Sequence, residues 1–513
     1  MRRRSLVSGM LAPAERLLNA LVDPNRRDRT CLWLLSGYAA VWALYAAIAK
    51  GSQDIHFDMG EMVALSREDL LGTTKHPPLG SWLVRFWFSV FPSTDWAYYL
   101  FAIVVATVGL WITWKLSQHY LDGEKRVIAV ALLTLVPLYN FHALKFNANT
   151  VLIPFWAATT WWFLRSFETR NLYYAALAGL AAAAAMLGKY WSIMLLAGLA
   201  FAALADPRRG VYFRSAAPWV TIVFGAIALA PHAAWLVVND FPPLGYALGS
   251  HAAASLGFAF LSSLKFVAGA LSYLAVLIVL FILSARPSRA ALADALWPKD
   301  FARRMVLLAF AFPILLPIIA AVAANSGIAS LWTISAMTLA PIVLLSSPLI
   351  TISREAAVRI VTLAIAFPLV MTAASPVIAI VVHRQGVPND ATHYRLLAEE
   401  IDKAWRATSD RPLKLVGSGT ILVNGVAFYL ADKPSAYDVM APAHTPWVDE
   451  VRIARDGIAL VCRGDDDACA AAVNQLSARL PTGKRAEVDL SRTYFGVSDV
   501  PVRYRIVTIP PGS

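Results

Sequence analysis

Residues 260–284 read FLSSLKFVAGALSYLAVLIVLFILS, an apolar run of 25 residues with one charge, Lys265, near its start. As a helix at about 1.5 Å per residue it is long enough to cross the roughly 30 Å hydrocarbon core of a bilayer. Ten further apolar blocks flank it: Cys31–Ala49, Ala97–Leu116, Val127–Leu138, Thr150–Leu164, Leu172–Leu187, Trp191–Ala205, Ala216–Leu236, Met305–Ala323, Ser330–Ser347 and Ile360–Val382. The third block in chain order, Val127–Leu138, is short and is expected to extend further. Leu172–Ala205 is interrupted by Gly188-Lys189-Tyr190-Trp191, which reads as a hairpin tip between two spans. The expected fold is an α-helical polytopic membrane protein with about 11 transmembrane helices.

Composition agrees. Of 513 residues 58% are hydrophobic and 15% charged, against about 25% charged in soluble chains. With 27 Gly and 29 Pro, collagen and low-complexity disorder are excluded. The net charge of +12 does not signal nucleic acid, because from His383 onward Lys+Arg and Asp+Glu balance at 16 each. The basic excess therefore sits among the spans, where it orients them. With the N-terminus inside, the leading segment carries seven Lys/Arg and the other inside loops two to five each, while the short outside loops carry at most one. The expected topology is N-terminus cytoplasmic and C-terminus outside. The leading segment lacks a signal-peptide pattern, since Arg16 interrupts its apolar residues, so the first span is expected to stay as an anchor.

Residues 1–382 thus form the membrane domain, with a long first external loop at 50–96, and 383–513 form a small extracytoplasmic α/β domain. In that tail Thr392–Arg406 and Asp467–Leu480 are helix-like, and Leu413–Gly417, Ile458–Cys462 and Val502–Ile509 are strand-like. Cys462 and Cys469 lie seven residues apart there. An oxidising compartment favours a disulfide between them, the alternative being two free thiols.

The polar chemistry gathers on one side. The first external loop holds Asp54, His56, Asp58, Glu61, Glu68, Asp69, Lys75 and His76. Carboxylates there suit a general base, and nearby cations suit a phosphate leaving group; an ordinary solvated loop is the plain alternative. Lys189 at a hairpin tip is an isolated cation at the membrane edge, either functional or snorkelling. His142, Asn147 and His251 are further candidates for sugar or phosphate contact. A divalent cation would want several oxygen ligands, and only Asp54, Asp58 and Glu61 cluster.

Lys75-His76-Pro77-Pro78-Leu79-Gly80-Ser81-Trp82 follows Asp58 by 18 residues, counted to His76. Together with Leu144-Lys145-Phe146-Asn147-Ala148-Asn149, Gly188-Lys189-Tyr190 and Trp235–Asp240, it resembles the GT-C glycosyltransferases of the protein O-mannosyltransferase and aminoarabinose transferase type. Within them it looks most like the rhizobial lipopolysaccharide galacturonosyltransferase branch. The resemblance implies an enzyme of the bacterial inner membrane that moves a sugar from a polyprenyl-phosphate donor to lipid A, a lipopolysaccharide core or another envelope glycolipid on the periplasmic face. It places the acceptor base on Asp58. Where the family often has Asp-Glu, this chain has Asp58-Met59, leaving Glu61 one turn on as helper. Asn149 stands where some relatives carry an acid, so neither a second acid nor a metal is implied there. His76, Lys75, Lys189 and His251 are the expected donor-phosphate contacts. Protein O-glycosylation is the second reading. A flippase without chemistry is the third, and it lacks a polar pathway through the Ala/Leu/Val/Ile-rich span middles.

Overall fold

The computed structural model describes residues 13–251, 255–388, 391–479 and 483–512. A short helix α1 (13–22) leads into α2 (Arg27–Ala49), α3 (Phe57–Ser66), α4 (Leu79–Val90), α5 (Asp95–Ser117) and α6 (Gly123–Thr134). Then come α7 (Leu152–Thr169), α8 (Leu172–Gly188), α9 (Ile193–Ala205), α10 (Arg209–Phe213), α11 (Ala217–Val238) and α12 (Pro242–His251). The helices α13 (Leu256–Ala285), α14 (Arg289–Leu296), α15 (Phe301–Ala323), α16 (Ala340–Leu345) and α17 (Arg354–Gln385) complete the apolar part. Every apolar block falls on helical structure. Among the described residues six helices, α2, α5, α11, α13, α15 and α17, are long and apolar enough to cross a membrane by length and composition.

The third block does not extend as expected. Helix α6 is 12 residues long and ends at Thr134, with Leu135 as its C-cap, after which Pro137 opens a single 3₁₀ turn, Pro137–Tyr139. Pro137 lacks the N–H that a continuing helix would need. The break inside Leu172–Ala205 is sharp: α8 stops at Gly188, Lys189 is extended, and a 3₁₀ turn (Tyr190–Ser192) restarts the chain into α9. The Ser192 hydroxyl donates to the Ala185 carbonyl at 2.7 Å and accepts from the Trp156 indole at 2.9 Å, which satisfies the freed backbone.

The chain divides into two compact units. One holds the chain up to Ala43, Lys75–Leu79 and Leu100–Met371; the other holds Leu44–Thr74, Gly80–Tyr99 and the chain from Thr372 on. In the first, α8 packs against α7 and α11, while α9 packs against α15. Small residues allow the approach: a Cβ on Gly179 would lie 2.2 Å from the Thr221 carbonyl oxygen, and one on Gly198 would lie 2.7 Å from the Pro313 ring.

The second unit is built on a five-stranded sheet. Its helices are α18 (Tyr394–Arg406), α19 (Thr420–Tyr429), α20 (Glu450–Asp456) and α21 (Asp467–Ser477). Its strands β1 (Leu415–Ser418), β2 (Ser435–Asp438), β3 (Ile458–Arg463), β4 (Lys484–Leu490) and β7 (Val502–Ile509) run in the order β2-β1-β3-β7-β4. The pairs β1–β2 and β1–β3 are parallel, and β7 is antiparallel to β3 and β4. Alternation sends Val416, Ala459, Val461 and Ile506 to one face, with Leu397, Trp405 and Val426. It sends Leu415, Leu460, Cys462 and Val507 to the other, with Cys469 and Val473. Cys462 and Cys469 form a disulfide with Cα atoms 5.8 Å apart, and Cys31 is free and buried. A hairpin of β5 (Thr493–Tyr494) and β6 (Val497–Ser498) turns through Phe495 and Gly496, both at positive φ.

Candidate active site

The acidic helix belongs to the second unit. His56 is the N-cap of α3, its Nδ1 accepting from the Asp58 amide at 3.1 Å. Asp58 therefore sits inside the first turn and is not the cap. Its carboxylate lies 3.9 Å from His56 Nδ1, with the side chain 20% exposed. Glu61 follows three residues on, half-buried on the same side of α3. Gly60, between them, lets α3 press onto α19: a Cβ there would lie 2.6 Å from the Asn424 carbonyl oxygen.

The chain entering α3 is tied to the C-terminal residues of the same unit. Asp54 is buried, and its carboxylate accepts from Arg492 Nη2 at 2.7 Å and from the Arg395 amide at 3.0 Å. The Ile55 amide donates to the Tyr429 hydroxyl at 2.8 Å, and Tyr98 donates to the Met59 carbonyl at 2.9 Å. Burial holds the Tyr429 phenol well above its ordinary pKa, so it stays protonated. At the far end of α3, Arg67 donates to the carbonyls of Ala427 and Pro434, each at 2.8 Å. Burial pulls that guanidinium down to about 10, which leaves it charged at neutral pH. Trp82 on α4 donates its indole N–H to the Leu70 carbonyl at 3.0 Å, fixing the loop between α3 and α4.

The cations expected at the donor phosphate belong to the first unit. Gly188 packs so closely on Val151 that a Cβ would lie 2.9 Å from its Cγ1. This brings Lys189 beside the start of α7, where its Nζ donates to Asn149 Oδ1 at 2.6 Å and lies 4.8 Å from the Trp332 ring centroid. Asn147 is buried and serves the turn, its Oδ1 accepting from the Asn149 amide at 2.9 Å. His142 is exposed, edge-on to Tyr273 at 5.3 Å. Lys75 and His76 are half-buried just ahead of α4. His251 ends α12, and its side chain lies outside the described residues.

Two features went beyond the sequence reading. Asp54 stood there only as one of the clustered loop acids, and its partners lie hundreds of residues away. His232, buried in α11 after Pro231, stacks on Tyr190 and meets its hydroxyl at 2.9 Å, one residue from Lys189; an ionisable residue within a span was the available signal. Below this level an apolar groove of about 430 Å³ runs between α7, α8, α9 and α11. Its upper members Ala183, Leu196 and Leu229 lie within two helical turns of Tyr190 or His232 along the chain. As for a cation, Asp54 is committed to Arg492, and among the described residues no three of His, Cys, Asp and Glu are grouped to hold a metal.

Residues 75–235 match the family model described as dolichyl-phosphate-mannose-protein mannosyltransferase. No curated protein sequence matches the chain. Among solved structures, ArnT from Cupriavidus metallidurans bound to undecaprenyl phosphate aligns with TM-score 0.62 at 12% identity, covering 93% of this chain and 97% of that one. The apo form of the same protein aligns with TM-score 0.60 at 12% identity and the same coverage. An oligosaccharyltransferase from Archaeoglobus fulgidus aligns less well, with TM-score 0.44 at 12% identity over 90% of this chain and 69% of its own. The chain therefore has the multi-pass membrane fold of ArnT over nearly its whole length, and its residues 75–235 match a mannosyltransferase family model. The family-model segment holds the Lys75–Trp82 motif, together with Asn149, Lys189 and His232 of the first unit.

Proposed function

We propose that the chain transfers a sugar from a polyprenyl-phosphate donor to an envelope glycolipid, lipid A or a lipopolysaccharide core, on the periplasmic face of the bacterial inner membrane. Asp58 takes the acceptor proton, with Glu61 assisting. The observation that carries the donor class is Lys189, held by Asn149 and Trp332 at the end of α8, whose Ala178, Ala182 and Ala183 line an apolar groove of about 430 Å³. A cation at the end of a helix that lines a dry groove suits an anionic head on an isoprenoid chain, and the ArnT structure of the same fold is bound to undecaprenyl phosphate. Lys189 donates charge-assisted hydrogen bonds to the departing phosphate. The motif residue Lys75 supplies further positive charge, and His76 a ring nitrogen for hydrogen bonding. The narrower assignment to the galacturonosyltransferase branch rests on the Lys75–Trp82 motif and its spacing from Asp58.

Asp58 fits the base because its carboxylate stands in the first turn of α3, 20% exposed, while the cap position is taken by His56. A general base contributes about 10²–10⁴-fold in rate. The test is mass spectrometry of envelope glycolipids from a deletion strain complemented with wild-type or Asp58→Asn protein at matched expression. Deletion removes one sugar, wild type restores it, and Asp58→Asn does not. An unchanged glycolipid profile on deletion refutes the acceptor class, and full restoration by Asp58→Asn refutes the base.

A further inference from the structure

A second apolar groove, of about 270 Å³, lies in the first unit between α2, α5, α6 and α17, lined by residues such as Leu34, Gly37, Val41, Val130 and Ile365. Trp114, Cys31 and Val127 are also among its lining residues. Next to these three along the chain sits a charge cluster. Asp28 accepts from Lys115 Nζ at 2.6 Å and from the Trp114 indole at 2.8 Å, and lies 3.3 Å from Arg126 Nη2. The Arg126 guanidinium lies flat over Trp114, 3.7 Å from the ring centroid, with its Nε donating to the Trp114 carbonyl at 3.1 Å. Its side chain is 3% exposed, yet Nη1 has no partner among the described residues.

Two cations thus share one carboxylate next to residues lining a dry groove, and one buried N–H donor lacks an acceptor. Buried donors are nearly always paired, so the missing acceptor belongs to a ligand. It must bring oxygen and negative charge to Arg126 and an apolar chain to the groove. We propose that this groove binds one anionic diacyl phospholipid of the bilayer, its phosphate at Lys115 and Arg126 and an acyl chain along α2 and α6.

This site is distinct from the donor site. Arg126 lies at the start of α6, and the chain runs along α6 to Asn149, back along α7 and forward again along α8 to Lys189. Lys189 and Arg126 therefore lie at opposite ends of these helices. The bulk lipid of the Arg126 side is the only abundant amphiphile there with both an anionic head and an apolar tail, and the basic residues crowded at that side enrich its anionic members.

The test uses the purified full-length protein, stripped of lipid in detergent and then offered phosphatidylglycerol or phosphatidylcholine in turn. Native mass spectrometry counts retained lipid, and thermal unfolding reports its effect. The expected result is one phosphatidylglycerol retained, with a raised unfolding temperature, and weaker retention of phosphatidylcholine. Lys115→Met should lower phosphatidylglycerol affinity about tenfold or more, since a charge-assisted contact is lost, and leave phosphatidylcholine unchanged. Gly37→Leu, whose Cβ meets nothing within 4 Å, should fill the groove and expel both lipids. Equal retention of the two lipids by wild type overturns the proposal, as does unaltered phosphatidylglycerol binding in both variants. Displacement by equimolar undecaprenyl phosphate also overturns it, because the groove would then select an isoprenoid.

Discussion

Replacing Gly60 with alanine separates two opposed effects on the acidic helix. In an unpacked helix interior, alanine stabilises relative to glycine by about 1 kcal/mol. Here the new Cβ would stand 2.6 Å from the Asn424 carbonyl oxygen and 2.8 Å from its carbon. Carbon atoms rest about 3.5–4.0 Å apart, so α3 and α19 must separate by on the order of 1 Å. Helix α19 has no room to yield, because a Cβ on its own Gly425 would lie 2.4 Å from the Tyr394 ring of α18. The retreat falls on α3, two residues from Asp58. Overpacking of this kind costs about 1–3 kcal/mol, which exceeds the propensity gain. A displacement of about 1 Å at a catalytic group lowers rate by about 10²-fold. The assay is the initial rate of sugar transfer in deletion-strain membranes carrying matched amounts of wild-type or Gly60→Ala protein, beside the unfolding temperature of each. A variant that is more stable and transfers at the normal rate would refute the claim that α19 sets the position of Asp58.

Three further outcomes are expected. Arg492→Met strands the buried Asp54 carboxylate and should destabilise the second unit by about 3–5 kcal/mol; proteolysis of 44–74 should quicken, and adding Asp54→Asn should slow it again. Lys189→Met keeps the apolar stem and deletes the charge, so undecaprenyl phosphate binding, read by native mass spectrometry, should weaken about 10–100-fold; unchanged binding returns Lys189 to a snorkelling role. Asp456, bonded by Arg455 at 2.8 Å and by Lys414, has its pKa held below the ordinary carboxylate value. Its stabilisation is therefore complete above about pH 4 and is lost as pH falls through the lower folded value; Asp456→Asn should flatten the acid side of the unfolding profile.

The membrane part was legible because lipid demands unbroken apolar length, and each apolar block of the sequence falls on helical structure. The exception is instructive. Val127–Leu138 is apolar to its end, but Pro137 stops α6 while hydropathy continues. In the tail, β3 and β7 showed as apolar runs because they are buried centrally. Strand β4, reading KRAEVDL, is exposed along most of its length and carries charge on alternate positions, so no apolar signal marks it. Helix α19 reads TILVNGVAFY, a composition equally suited to a strand; packing against α3 and α18 decides it. The Lys189–Asn149 contact was half visible, since both residues stood out singly while their meeting depends on Gly188 fitting against Val151. Asp54 was the blind spot: an unremarkable loop acid whose meaning appears only with Arg492 in place.

That pair also orders events during synthesis. The bond between Asp54 and Arg492 spans 438 positions of chain, and translation at about 5–20 residues per second leaves Asp54 waiting for on the order of a minute or less. Until the last hairpin emerges, the acidic helix has no buried counter-charge to settle against. A C-terminally clipped chain therefore keeps α3 packed on α19 but leaves the Asp54 carboxylate without Arg492.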